Sequence, residues 1–340
     1  MRSRWRLVVG LAVSLAFVVV AVRGLRLDEF VAALGSAHYV WLVPGVAVYF
    51  LGVAARTWRW HYMLRHLKPV PLGALFRIVC IGYMGNNIYP ARAGEVLRSY
   101  VLRQETGVRM SASLATVAIE RVFDGVTMLV FVFIALPLVS FEADPLDSYR
   151  GPIAWATVLF VAALVAFLAL ASRPRMAMAV ANRAAGLAVP ETYRPRLLGV
   201  IERFLAGLES LASGRAVFLI FGTSILVWLF ETLKYWFVMH AFPFQVSFLT
   251  LMLMNGVVNL ATTIPAAPGY IGTFDLPGIR VLVAAGVATG LAAAYTVVLH
   301  VALWLPITLL GAFYLWRSHV SLSQARQAAD SEPREATVAP

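Results

Sequence analysis

Runs of about 20 apolar residues recur from one end of this chain to the other, at 7–22, 39–55, 114–140, 153–171, 216–241 and 291–316. Each is long enough, as a helix, to cross a hydrocarbon core of about 30 Å. Such a core offers the backbone no water, so every N–H and C=O must be paired within the protein. The expected fold class is therefore all-α, a polytopic transmembrane helical bundle. Composition agrees: 61% of residues are hydrophobic and 13% are charged, against roughly half and a quarter in soluble domains.

Charge sets the orientation. The net charge of +11 would raise the question of nucleic acid in a soluble protein, but its distribution answers it. Nine Lys or Arg lie between Arg56 and Arg109 against Glu95 and Glu105, and seven more between Arg173 and Arg215. Segment 141–152 instead carries Glu142, Asp144 and Asp147 against Arg150. This is the positive-inside pattern of a cell-membrane protein with both termini cytoplasmic, its basic loops beside anionic lipid rather than nucleic acid. The first apolar run follows Arg2, Arg4 and Arg6, as in a signal peptide, but no A-x-A site follows it and it reads as an uncleaved helix. Cys80 is the only cysteine, so no intramolecular disulfide forms.

Two segments break the pattern. Residues 72–90 are apolar, yet basic sequence flanks them on both sides, which is the mark of a re-entrant or broken helix. Residues 248–290 run from an apolar stretch into PAAPGYIGTFDLPG, which the prolines and glycines keep from being one helix. Irregular backbone at depth is tolerated only where protein buries it or water lines it. Paired interruptions in the two halves point to a binding site in an inverted-repeat transporter, and an inverted repeat is one reading of NNIYPARAGE beside TTIPAAPGYIG. An amphipathic helix at about 196–212, with Leu197, Ile201, Phe204, Leu205, Leu208 and Leu211 on one face, either lies on the cytoplasmic leaflet or packs on the bundle. The polar tail 317–340 reads as disordered.

Ionisable groups inside spans cost about 2.5–3.5 kcal/mol each on insertion scales, and so mark candidate sites. In AIERVFDGV, Glu120 and Asp124 share a helical face, and Arg121 stands where it can pair with Asp124. One acid is then left for a cation, a proton or a partner helix; the alternative is a pair that only fixes packing. Glu231 and Lys234 form a second such pair, although Lys234, beside Tyr235 and Trp236, has a snorkelling alternative. In the first interruption, Asn86, Asn87, Pro90, Arg92, Gly94, Glu95 and Arg98 combine a broken backbone with guanidinium groups suited to a lipid phosphate. In the second, Asn255 and Asn259 precede Pro265, Pro268, Gly269, Gly272 and Asp275, where exposed backbone can meet headgroup atoms. The RTWRWHYMLRH tract, with Arg56, Arg59, Arg65, Trp58 and Trp60, reads as an interfacial belt that needs no function, and His300 as a satisfied packing histidine.

Four strings carry a resemblance: R-x-x-R-W at Arg56–Trp60, N-x-x-x-P-x-R-x-G-E-x-x-R at Asn86–Arg98, E-R-x-x-D at Glu120–Asp124 and P-x-x-P-G-x-x-G-x-x-D at Pro265–Asp275. With them the chain resembles the flippase-like transmembrane domain of lysylphosphatidylglycerol synthases and its stand-alone relatives, over residues 1–316. The resemblance implies movement of a phospholipid, aminoacyl-lipid, glycolipid or polyprenyl-linked lipid between leaflets. With 24 residues after Trp316, no soluble aminoacyl-transferring domain is expected, nor lysyl transfer.

The expected function is that of a lipid transporter with membrane lipids of anionic or polar headgroup as partners. No catalytic residues, metal or cofactor are expected. No G-x-x-x-x-G-K-[ST] string occurs, so the drive would be a gradient, the membrane potential or lipid imbalance. Two other readings compete. One is a membrane-embedded lipid-modifying enzyme using Glu120, Asp124 or His300, disfavoured because no H-E-x-x-H or G-x-S-x-G string is present. The other is a non-transporting partner of a lipid- or glycan-making system.

Overall fold

The structure, a computed structural model, describes residues 12, 14–21, 26–89, 92–139, 174–188, 214–263 and 267–318, with isolated positions between 155 and 198. All of its regular structure is helical among these residues. A helix at 14–21 (α1) and a short one at Leu27–Ser36 (α2) precede α3 at Leu42–Leu64, which is entered through a 3-10 turn at Tyr39–Trp41. Then come α4 (Leu72–Ile88), α5 (Gly94–Thr106), α6 (Met110–Ala135) and α7 (Pro174–Ala188). The second half holds α8 (Gly214–Met239), α9 (Phe248–Ala261), a 3-10 turn (Pro268–Tyr270), α10 (Asp275–Ala284) and α11 (Thr289–Arg317). The helix α2 was not anticipated from the sequence. It is short and carries acids in its first turn, Asp28 and Glu29, so no apolar run announces it. The amphipathic helix expected at 196–212, the acidic loop, most of the 153–171 span and the tail lie outside the described residues.

Among the described residues, three helices are long and apolar enough to span a membrane: Tyr39–Leu64, Gly214–Met239 and Thr289–Arg317. At 26 residues α6 is as long, but Glu120, Arg121 and Asp124 interrupt its apolar sequence. The bundle is inside-out relative to a soluble protein. Val43, Leu51, Leu309 and Trp316 stand on the surface, while Arg59 is 0% and Glu120 1% exposed. That inversion is what a hydrocarbon solvent selects, because apolar side chains gain nothing by hiding from lipid and charges lose heavily by meeting it.

Both interruptions are helical hairpins. The α4 helix ends at Ile88 and α5 starts at Gly94 and packs back along it. A Cβ on Gly94 would collide with the Gly82 carbonyl oxygen, so the two backbones touch, as small residues allow in membrane bundles. The α5 helix closes on Gly107 at φ 75°, whose N–H donates to the Arg103 carbonyl. In the second hairpin α9 starts on Ser247, whose hydroxyl accepts the Thr250 N–H at 3.1 Å, and α10 folds back against α9.

The same packing recurs in both halves. Just as α3 packs on α4, α8 packs on α9; as α5 packs on α6, α10 packs on α11. Across the halves α3 lies on α8, α4 on α11 and α6 on α9. Exchanging the halves maps this set of contacts onto itself. The crossing of α4 and α11 is again close, since a Cβ on Gly311 would strike the Cys80 carbonyl.

Candidate functional site

The charges cluster where α3, α5, α6 and α8 meet. Arg59 is its hub: Nη1 donates to Asp124 Oδ1 at 2.7 Å and to Ser224 Oγ at 2.5 Å, and Nη2 donates to Glu120 Oε1 at 2.8 Å. Arg98 Nη2 donates to the other Glu120 oxygen at 2.6 Å. Asp124 also accepts from Arg56 at 3.3 Å and from the Trp228 indole N–H at 3.1 Å, and pairs with Arg121 at 3.1 Å. Arg56 reaches Glu231 at 3.5 Å and stacks its guanidinium 4.5 Å from the Trp228 ring. Lys234 donates to Glu231, and Arg121 lies 3.5 Å from Glu95.

In their ordinary ionised forms these are five cations, Arg56, Arg59, Arg98, Arg121 and Lys234, against four anions, Glu95, Glu120, Asp124 and Glu231. Buried charges persist only when paired, and this network pairs them with one positive charge in excess.

Beside the cluster is a polar cavity of about 290 Å³. Arg56, Arg121, Asp124, Glu231 and Lys234 line it. So do residues of both interruptions, Asn86, Asn87 and Arg92 from the first, and Asn259, Thr262, Thr263, Gly269 and Tyr270 from the second. Arg92 sits at φ 54°, a left-handed conformation unusual for a non-glycine residue. Its guanidinium meets the Thr262 carbonyl at 3.4 Å and has no carboxylate partner among the described residues. The buried Asn86 Oδ1 has no hydrogen-bond partner. Asn87 ties α4 to α11 by donating to Thr308 Oγ1 at 2.8 Å.

A second, largely apolar groove of about 700 Å³ adjoins the first, lined by Val18, Phe30, Ile279, Val297 and Val301 among others. Asn87, Gly269, His300 and Trp304 line both spaces and form the partition between them. On α11, His300 contacts Asp275 at 2.8 Å and the Gly269 carbonyl at 2.7 Å. Among the described residues no three His, Cys, Asp or Glu side chains cluster as a metal site.

The residues singled out from sequence fall into three groups. Asn86, Asn87, Arg92, Arg121, Asp124, Glu231, Lys234, Asn259 and Gly269 come together on the polar cavity; Pro268, Gly272 and Asp275 lie on the groove. Glu95, Arg98, Glu120 and Asn255 are not on the cavity wall, and Gly94 serves the close packing of α4 and α5. Arg98 thus holds Glu120 rather than facing a headgroup. Asn255 is fully buried and donates to Thr232 Oγ1 at 3.0 Å, while its own oxygen accepts from Asn259 at 2.7 Å. Pro90 and Pro265 lie outside the described residues.

Two expectations fail. The RTWRWHYMLRH tract is not an interfacial belt: α3 continues to Leu64, and Arg56, Arg59 and Trp60 are buried in it, with Trp58 alone of the two tryptophans exposed. Read as surface charge, the tract hid the hub of the site. Its signal was the i,i+3 spacing of Arg56 and Arg59, with apolar Trp60, Met63 and Leu64 carrying the span onward. Lys234 does not snorkel either; it is 2% exposed and bound to Glu231. His300, read as a packing residue, contacts two acceptors on the partition.

Comparison with known proteins agrees with this architecture. The chain is 26% identical to glycosyltransferase AglD of Haloferax volcanii over 91% of its length, but spans only 54% of that relative. It is 25% identical to a UPF0104 membrane protein of Methanothermobacter thermautotrophicus over 81% of this chain and 83% of the relative. UPF0104 membrane protein MJ1078 of Methanocaldococcus jannaschii is 27% identical over 58% and 78%. No solved structure matches. The model of the lysylphosphatidylglycerol synthase TM region matches residues 7–311, so this multi-pass membrane protein belongs to that family.

Proposed function

We propose that the protein moves a lipid with an anionic or polar headgroup between the leaflets of the cell membrane, leaving the lipid chemically unchanged, with both termini cytoplasmic. The observation that carries this reading is the polar cavity with its excess of cations sharing a partition with an apolar groove. A lipid is a polar group joined to hydrocarbon, and the two spaces match its two parts. Arg92 and Arg121 present guanidinium groups to the cavity, and guanidinium binds phosphate oxygens by paired, charge-assisted hydrogen bonds. The likeness to a relative named as a glycosyltransferase favours glycolipid or polyprenyl-linked lipid among the possible substrates; the activity in that name is that relative's own.

The test is reconstitution into liposomes containing fluorescent phosphatidylglycerol, with outer-leaflet label quenched chemically. Wild-type protein should make inner-leaflet label accessible, and Arg92→Ala and Arg121→Gln should slow this at unchanged protein yield. Undiminished movement in both variants would reject the path. Mass spectrometry of the same lipids distinguishes transport from chemistry, since a lipid of altered mass would favour an enzyme.

A further inference from the structure

One side chain on α11 holds the Pro-Gly turn between α9 and α10. His300 Nδ1 stands 2.8 Å from Asp275 Oδ1, and Nε2 stands 2.7 Å from the Gly269 carbonyl oxygen. A carbonyl and a carboxylate only accept, whereas a neutral imidazole has one N–H and one bare nitrogen. With neutral His300 and ionised Asp275, one of these two contacts would set lone pair against lone pair. Nor is the rest of Asp275 free, because Oδ2 accepts the Gly272 N–H at 2.8 Å. The geometry is satisfied only when the pair holds one proton more than a neutral ring and a carboxylate carry together. Imidazolium beside carboxylate meets that condition, and so does a carboxylic acid donating to Nδ1 while Nε2–H donates to Gly269.

The location gives the proton a consequence. The two side chains are 14% and 15% exposed, and the Phe274 ring covers the imidazole at a centroid distance of 4.5 Å. His300 lines both the polar cavity and the apolar groove, so the proton resides on the partition between them. The turn it clamps contains Tyr270 at φ 60°, a left-handed conformation that a side-chain-bearing residue keeps only when held.

We infer that His300 and Asp275 form a proton-binding site whose occupancy couples a proton to lipid movement. The proton occupancy follows from the geometry, while the coupling rests on the proposed lipid transport. Breaking the Nε2–H bond passes the proton to water in the cavity and leaves the Gly269 carbonyl facing a bare nitrogen. The turn then loses a tie to α11, and the partition between headgroup space and hydrocarbon space is freed to open; rebinding a proton closes it. Other charged or titratable groups share the cavity wall: Tyr270 in the turn, Arg92 at the α4–α5 tip, Arg121 and Asp124 on α6, Tyr49 and Arg56 on α3, Tyr83 on α4, and Glu231 and Lys234 on α8. Of these elements' charged groups none bonds His300; Asp275 alone does.

Two measurements test this. In protein labelled with 15N-histidine and held in lipid nanodiscs, the ring signals lost in His300→Gln should show hydrogen on both nitrogens, or on Nε2 with a strong hydrogen bond at Nδ1, at the acid end of the range from about pH 5 to 8. They should lose a proton as the pH rises, and Asp275→Asn should abolish the doubly bonded signature. A ring signature unchanged across that range overturns the site. In phosphatidylglycerol liposomes, an imposed pH difference should change the wild-type rate of lipid movement several-fold and leave His300→Gln and Asp275→Asn, checked for monodisperse elution, indifferent to it. Wild-type movement that ignores the gradient overturns the coupling while sparing transport. Absence of any movement overturns the transport proposal and the coupling with it, and the ring signals still decide the proton site.

Discussion

Replacing Arg59 by methionine tests whether the charge cluster is a structural hub. Arg59 has no solvent exposure, and its guanidinium supplies hydrogen bonds to Asp124 at 2.7 and 3.3 Å, Glu120 at 2.8 Å and Ser224 at 2.5 Å. Each charge-assisted bond is worth about 1.5–3 kcal/mol net, but these share a network and do not add. Removing one partner of a buried pair costs about 3–5 kcal/mol, because the other charge stays buried. Here neither acid is abandoned: Glu120 keeps Arg98 at 2.6 Å, and Asp124 keeps Arg121 at 3.1 Å and Arg56 at 3.3 Å. The loss should therefore fall near the lower end, about 3 kcal/mol, still a large part of a typical total of roughly 5–15 kcal/mol. Adding Glu120→Gln removes the one carboxylate partner that Arg98 has among the described residues and should destabilise further, because Arg98 is itself buried. Reversible denaturant unfolding in mixed micelles measures both variants. A single variant within about 0.5 kcal/mol of wild type would refute the view that Arg59 is the buried counter-charge of both acids, and a double variant more stable than the single one would refute the pairing of Arg98 with Glu120.

Gly94→Ala should separate α4 from α5, since the added methyl meets the Gly82 carbonyl, and should destabilise by about 1–3 kcal/mol or more; thermal unfolding reads it, and an unchanged midpoint would contradict the close backbone approach. Asn255→Ala should cost about 1–3 kcal/mol by removing the donor to Thr232 and the Trp228 carbonyl and one of the two acceptors of Asn259. Because Asn255 does not line the cavity, the surviving folded protein should move lipid at the wild-type rate, and a selective transport defect would place it on the path instead.

Much of the architecture was legible because hydrocarbon is a severe solvent. A span must be apolar over a length set by membrane thickness, which is why α8 at Gly214–Met239 and α11 at Thr289–Arg317 fall within two residues of the expected 216–241 and 291–316. The two interruptions were equally visible, since Pro and Gly act on the backbone locally. Glu120 with Asp124, and Glu231 with Lys234, declared themselves because charge inside a span is costly enough to need a reason.

Partnership was not legible, because it depends on which helix lies opposite which. Arg56 and Arg59 have the same local appearance whether they end a span at the interface or sit deep against α6; only the packing of α3 on α8 and α6 brings them to Asp124, Glu120 and Glu231. Arg98 was drawn away from the cavity by Glu120, and His300 was drawn to the partition by a carbonyl and a carboxylate 31 and 25 residues distant. Local chemistry dictates where the chain is buried and where it breaks. Which buried charge meets which is a long-range electrostatic choice, made when the two halves close on one another.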